Sequence, residues 1–288
     1  RTHRIKGDIM PNPNEIRTVV LSQVANVVTG GTVTINLPTN DTYHKVLLET
    51  SIAYAKMTDV KLIVDGYVAW EFASMQELTD LLDKYNSIPT STGVLQIPFV
   101  MNQLNQLNER ILSALGTADI LTLVLQFKIA SDVTNPVINA TAEVSDNTNI
   151  GLMLHIKDSN VDYASTGVKT ITTNNIPKGF ATPMNGKDVY PRLLGVHFKN
   201  DNINDFELKT GNVSRYKASR NLLKHQLKSA RPNARTEQAS YTHVDFLRNG
   251  TIAGAFNMVH NDLSFIVDVA VEGNYSFKSV FLAPHRGV

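Results

Sequence analysis

The sequence predicts an all-β protein of two tandem eight-stranded jelly rolls, a double jelly roll, with a short helix inserted in each. Three observations carry that expectation. Short period-two runs of Val, Ile, Leu, Phe and Thr dominate, Gly, Pro, Asn and Asp close them, and the whole series recurs once in the same order.

Taken in chain order, Arg1-Thr2-His3-Arg4-Ile5-Lys6 is basic and lacks the apolar core of a secretory leader, so residues 1–15 read as a polar arm. Thr32-Val33-Thr34-Ile35-Asn36-Leu37-Pro38 and Val60-Lys61-Leu62-Ile63-Val64-Asp65-Gly66 alternate at strand period and end on turn residues. A helix begins after Ser74, whose hydroxyl caps it while Glu77 reaches back. Leu78, Leu81 and Leu82 share a face, and the helix fades near Tyr85-Asn86. A further helix is expected through Leu104 to Leu115, stopped by Gly116, before the strand Leu121 to Ile129.

The same elements then return about 140 residues later. Val168-Lys169-Thr170-Ile171-Thr172, leading to Ile176-Pro177, answers the strand at Thr32. Tyr190 to Val196 answers Tyr43 to Leu48, and Asn204 to Gly211 answers Val60 to Gly66. A helix from Ser219 to Lys228, with Leu222, Leu223 and Leu227 as its buried stripe, answers the one after Ser74. Leu263 to Val271 answers Leu121 to Ile129, and Asn274 to Phe281 answers the segment from Asn135. Unrelated β-rich halves would not repeat a helix at the same place among strands. The polar stretch Ser145-Asp146-Asn147-Thr148-Asn149 divides the copies, giving a first jelly roll over 16–145 and a second over 146–288.

Composition narrows the function. The 27 basic and 26 acidic residues leave a net charge of +1, unlike a dedicated nucleic-acid binder, so no sequence-specific nucleic-acid binding is expected. The absence of cysteine excludes disulfides and thiolate metal sites. No apolar run approaches the roughly 20 residues of a membrane-spanning helix. Zinc-helix, phosphate-loop, dinucleotide and nucleophile-elbow motifs are all missing from the sequence, so no catalytic residue and no cofactor is assigned. His243-Val244-Asp245, and His260 with Asp262, put His and Asp on one strand face without a nucleophile beside them; hydrogen bonding is the plainer role.

Two charged features remain. Asn200 to Asp205 gathers hard oxygen ligands that suit calcium through Asp201 and Asp205, or forms a solvated turn. From Arg215 to Arg235 there are basic residues and no Asp or Glu, while the equivalent first-half helix carries Glu77, Asp80 and Asp83. A basic stretch suits lipid phosphates, nucleic acid or a solvated face. A third reading pairs Glu77, Asp80 and Asp83 of one subunit with Arg220, Lys224 and Lys228 of the next, in a ring where the halves alternate.

Val28 to Pro38 followed by Thr42-Tyr43, Val64-Asp65-Gly66 before the first helix, and Ala114-Leu115-Gly116-Thr117 before Phe127-Lys128-Ile129 form an ordered set. With Tyr190 leading to His197-Phe198-Lys199, they resemble the corticovirus-type major capsid protein, of the double jelly-roll capsid lineage that includes tectiviruses and adenoviruses. The resemblance spans most of residues 16–282. It implies a bacteriophage virion protein, assembled in the host cytoplasm. Homotrimers would form pseudo-hexagonal capsomers, and these would tile an icosahedral shell over an internal membrane beside neighbouring capsomers and a penton protein. It also implies calcium in or between capsomers, and it places Arg1, Arg4 and Lys6 near anionic headgroups, at about 1 kcal/mol per charge. The alternatives are a tandem jelly-roll glycan-cleaving amidase and a carbohydrate-binding module. Against them, Trp70 reads as core, and the loops Asn86 to Gly93 and Arg231 to Ser240 are rich in Ser, Thr, Asn and Pro rather than aromatics.

Overall fold

The computed structural model describes residues 15–146, 152–172, 182–184, 187–259 and 262–284. The first half supplies strands β1 (Arg17–Leu21), β2 (Thr32–Asn36), β3 (Asp41–Thr50), β4 (Met57–Val64) and β5 (Tyr67–Ser74). Helix α1 (Met75–Thr79) follows, then β6 (Val94–Pro98), β7 (Leu123–Ile129) and β8 (Ile138–Asp146). The second half supplies β9 (Leu152–Tyr163), β10 (Gly167–Thr172), β11 (Arg192–Phe198), β12 (Ile203–Thr210) and β13 (Val213–Ser219). Helix α2 (Arg220–Lys228) follows, then β14 (Thr242–Asp245), β15 (Leu263–Val269) and β16 (Gly273–Pro284).

Sheet order shows the duplication directly. One sheet of the first half runs β1-β8-β3-β6, and its counterpart runs β9-β16-β11-β14. The facing sheets run β2-β7-β4-β5 and β10-β15-β12-β13. Each position in one half has its equivalent in the other, and each helix leaves the fourth strand of its second sheet. Even the short strands correspond: Leu115–Gly116 pairs with the start of β3, and Phe256–Asn257 with the start of β11. Two antiparallel four-stranded sheets packed face to face, in this order, are a jelly roll.

Local chemistry explains the elements. β4, β7 and β15 bury alternate residues, so one face meets the partner sheet and the other meets solvent or loop. Asp65 and Gly66 turn the chain between β4 and β5 with φ of 48° and 82°, the left-handed region where Asp is tolerated and Gly is unstrained. The Asp65 carboxylate then accepts from Leu121 N and Thr122 N, fixing the start of β7. Ser74 accepts from Glu77 N at 3.2 Å as the capping pair requires, and Glu77 reaches back to accept from Ala73 N at 2.7 Å, one residue before the cap rather than from Ser74 N itself. Ser219 caps α2 in the same way through Leu222 N.

Three expectations need correction. α1 is regular only to Thr79 and continues as a wider π-type turn over Asp80–Lys84. The helix expected over Leu104 to Leu115 reduces to one α-turn at Leu107–Arg110 and a 3-10 turn at Ile111–Ser113, because Leu115 and Gly116 are drawn onto the edge of β3. In α2, Leu223 and Leu227 are buried four residues apart, whereas Leu222 sits 100° round the helix and is 43% exposed.

Each half has its own core. The first gathers Val33, Ile35, Val46, Leu62, Phe72 and Phe127. The second is aromatic, with Phe198 against Phe277 at 5.2 Å and Phe206 against Phe265 at 5.4 Å between ring centroids. Leu194, Leu247 and Leu282 of the second half pack into the first core, so the two cores touch.

Candidate functional site: the seam between the two halves

The halves meet through one parallel pairing, Ile156 of β9 against Trp70 of β5, which joins a sheet from each into one continuous sheet. Side chains around that bridge complete it. The Trp70 indole N–H donates to Leu154 O at 2.6 Å while its ring packs on Phe99 at 5.2 Å. The Lys157 ammonium donates to Val68 O and lies 3.9 Å above the Tyr67 ring. One residue from each strand therefore reaches across in each direction.

A buried ionic cluster lies beside it. Lys278 of β16 is 3% exposed, yet its ammonium donates to Glu71 O at 3.0 Å and sits 3.5 Å from Glu77 and 3.2 Å from Asp158. Glu77 also lies 3.7 Å from the Lys199 ammonium and accepts from Tyr241 O–H at 3.4 Å. A charge this buried persists only when surrounded by partners. The partners here come from both halves.

Further along, Tyr85 from the end of the first helix packs against both His197 and His243, 5.0 and 4.5 Å from their ring centres. Gln238 N–H donates to His243 Nε2, so that nitrogen is unprotonated and His243 carries its proton on Nδ1. Nδ1 then donates to His197 Nδ1 at 2.9 Å. Both rings are neutral. Burial pushes the His197 imidazole down to about 4, and burial together with the neighbouring His197 holds His243 well below the usual imidazole range. Arg235 and Asp245, both buried, pair at 2.9 Å next to this group, and Thr236 N donates to Tyr85 O. The first-half loop at Asn105 and Glu109 closes the seam by bonding Gly250 O and Ile252 N.

The residues singled out from sequence fall as follows. Glu77 and Asp83 are buried, Glu77 in the seam and Asp83 against Gln96 Nε2 at 2.9 Å. Asp80 is partly exposed and is held by Lys84 and Gln76 of its own chain. Glu77, Asp80 and Asp83 therefore do not form an outward acidic stripe, because the π-type winding changes the angular step between them. On the second half, Arg220 pairs with Asp201 at 3.2 Å and Lys224 with Glu237 at 2.8 Å, leaving Lys228 exposed. Asp201 and Asp205 do not fit a calcium site. Arg220 takes the Asp201 carboxylate, and among the described residues no group of three His, Asp or Glu side chains is placed to hold a metal. His243 and Asp245 do not form a dyad, since one bonds His197 and the other Arg235. Arg1, Arg4, Lys6 and His260 lie outside the described residues.

Sequence reasoning missed Lys278 and the His197–His243 pair. A signal for the first existed: Lys278 interrupts the apolar run Phe277 to Ala283, where a lysine is out of place unless it meets an anion.

Comparison with known proteins matches two family models, the viral coat protein P2 N-terminal domain over residues 18–145 and the viral coat protein P2 C-terminal domain over residues 153–277. Among solved structures, the major capsid protein P2 from bacteriophage PM2 superimposes with a TM-score of 0.83 at 17% identity, covering 95% of this chain and 100% of that one. The STIV MCP gives 0.64 at 11% identity, covering 93% and 97%. The PBCV-1 virus capsid gives 0.58 at 10% identity, covering 95% of each. No curated protein sequence matches. At these identities the structural likeness speaks for the double jelly-roll fold, and the family models speak for kinship.

Two outcomes follow from the seam. Lys278→Met leaves Glu77 and Asp158 without their shared cation and should destabilise the protein by about 3 kcal/mol in urea denaturation, with Glu77→Gln in the same chain restoring most of it. Acid should weaken the seam as well. The His197 pKa is lower folded than unfolded, so its contribution is complete above pH 6.5 and lost as pH falls towards 4, by about 3 kcal/mol. Denaturation midpoints between pH 4 and 7 should show this slope, and His197→Phe with His243→Phe should flatten it.

Proposed function

Because the chain belongs to the viral coat protein P2 family and is a viral major capsid protein, we propose that it assembles as a homotrimer whose six jelly rolls form a pseudo-hexagonal capsomer. Such capsomers tile an icosahedral shell over an internal membrane, meeting neighbouring capsomers and a penton protein at their rims. The observation that carries this reading is the repeated strand order in two halves held by one continuous sheet. A threefold axis acting on a rigid pair of similar blocks generates a near-sixfold ring.

The surface supports side-to-side contact. Edge strands β1 and β10 expose Val20 and Val168 at 79% and 72%, and edge strand β13 exposes Val213 between polar neighbours. Apolar side chains on open sheet edges favour burial against another copy. Arg215 and Lys217 of β13 and Lys228 of α2 are also exposed, giving the second half a basic flank that could only meet a neutral or acidic surface of a neighbour. The polar arm with Arg1, Arg4 and Lys6 is assigned to the membrane side, and assembly to the host cytoplasm.

We read the protein as building material rather than an enzyme. An amidase would place its site between the jelly rolls, where this chain has a recess of about 40 Å³ lined by Tyr85, His197 and Arg235. That is room for a water rather than a glycopeptide. Native mass spectrometry should give a three-chain mass, and Lys217→Glu with Lys228→Glu should shift it towards monomer while circular dichroism stays unchanged. A monomeric wild-type protein that cleaves glycopeptides would refute the reading.

A further inference from the structure

We propose that β1 of one copy lies parallel against β13 of the next, so that the joint between chains repeats the seam within a chain. The inference rests on the trimeric reading above. Within the chain, β9 of the second half lies against β5 of the first. By sheet order, β1 is the counterpart of β9, and β13 is the counterpart of β5. Both are open edges, so each chain holds one closed joint and the two unused sides of a second. The seam already fixes how the halves sit, so a second copy is the partner that supplies the missing side.

Matching bulges fix which residues correspond. His44 is bypassed between the pairs Tyr43–Val144 and Lys45–Glu143, and Leu194 between Leu193–Phe281 and Gly195–Val280. Glu143 also pairs with Thr18, and Val280 with Ile156, so Thr18 stands where Ile156 stands in the seam. Ile16, Val19 and Val20 then take the places of Leu154, Lys157 and Asp158. On the other edge, Ala69 of β5 and Arg215 of β13 are bypassed alike. Tyr216 is therefore the counterpart of Trp70, and Lys217 that of Glu71. The capping serines align Leu222 with Glu77, since each donates its backbone N–H to the cap.

The side chains at these places changed together. In the seam, Lys157, Lys199 and Lys278 of the second half face a first half carrying Glu71 and Glu77. Their counterparts on the β1 side are Val19, Glu49 and Thr141, and those on the β13 side are Lys217 and Leu222. The lysines are gone from one side and the glutamates from the other, so β1 meets β13 without stranding a buried charge. Glu49 is exposed and brings an anion to the side that carries Lys217. Val20 replaces Asp158 and Leu222 replaces Glu77, the two carboxylates that lie 3.2 and 3.5 Å from the Lys278 ammonium. Val20 is 79% exposed and Leu222 43%, and Ile16, on the same face of β1 as Val20, is 52% exposed. Apolar side chains so placed are buried only when the edge is covered. Where the seam is ionic, the joint between chains is apolar.

The chain has no cysteine, so introduced thiols report the joint cleanly. The full chain with Val20→Cys and Leu222→Cys is treated with bismaleimidoethane and run on a denaturing gel. A Val168→Cys, Leu222→Cys chain is the control, because edge strand β10 takes no part in the seam. Linked two-chain and three-chain bands are expected from the first pair and none from the control. Either single variant should give no linked band, and co-expression of the two should restore one. All three residues are exposed, so the fold tolerates the changes. Val20→Glu and Leu222→Lys should each weaken the trimer about tenfold in sedimentation, and the two together should recover it. A trimer that fails to link, links through Val20→Cys alone, links only within one chain, or links equally through Val168→Cys overturns this pairing and leaves the trimer standing. A monomeric wild-type protein overturns both.

Discussion

The parallel bridge between Trp70 and Ile156 is the constraint on which the rest of the molecule depends. Two jelly rolls joined by a short link would swing, since interfaces between domains of one chain usually permit motion. Here a strand of the second half extends a sheet of the first, so the angle between the two blocks is set by backbone hydrogen bonding and sheet twist. The proposed capsomer needs that angle fixed. Sixfold-like closure by three chains tolerates little error, because each discrepancy between blocks is repeated at every contact round the ring.

One bridge is a slender connection, and the polar groups around it explain how it holds. Lys278, Glu77, Asp158 and Lys199 bring charges from both halves into a partly dry space, and the buried Arg235–Asp245 pair of the second half lies nearby. Ion pairs of this kind add little net stability over well-packed apolar residues. They do penalise every arrangement that separates them, because a parted charge would stay buried without a partner. Apolar contacts such as Leu282 in the first core slide more easily. The polar seam therefore selects one docking geometry, and the His197–His243 pair makes that selection sensitive to acid.

Much of this was legible in the sequence wherever the signal was local. Ser74 and Glu77, Ser219, and Asp65-Gly66 announced two caps and a turn because each acts within four residues. The duplication was legible because order survives when identity fades. Long-range pairings were not. Nothing within a few residues of Lys278 reveals Glu77, which lies on the other jelly roll. The leucines from Leu104 to Leu115 looked helical because their spacing fits a helix, yet pairing with β3 outweighed that preference. Glu77, Asp80 and Asp83 read as an exposed stripe for the same reason: spacing alone carries no information about a π-type turn or about what packs above it.

The contrast between α1 and α2 bears on the proposed ring. Both helices leave equivalent strands and begin at equivalent serines, so their difference is not topological. α1 and its π-type extension turn Glu77 and Asp83 inward, where Glu77 locks the seam and Asp83 lies beside a cavity. The region of α2 keeps basic residues at the surface. Had both copies kept one surface, either half could dock on any other, and open chains would compete with closed rings. Diverging at the helices on the same strand order gives each block a distinct surface on a common frame. The near-zero net charge of the whole chain then lets many copies approach without collective repulsion, so the local charge pattern, not the total, decides which surfaces meet.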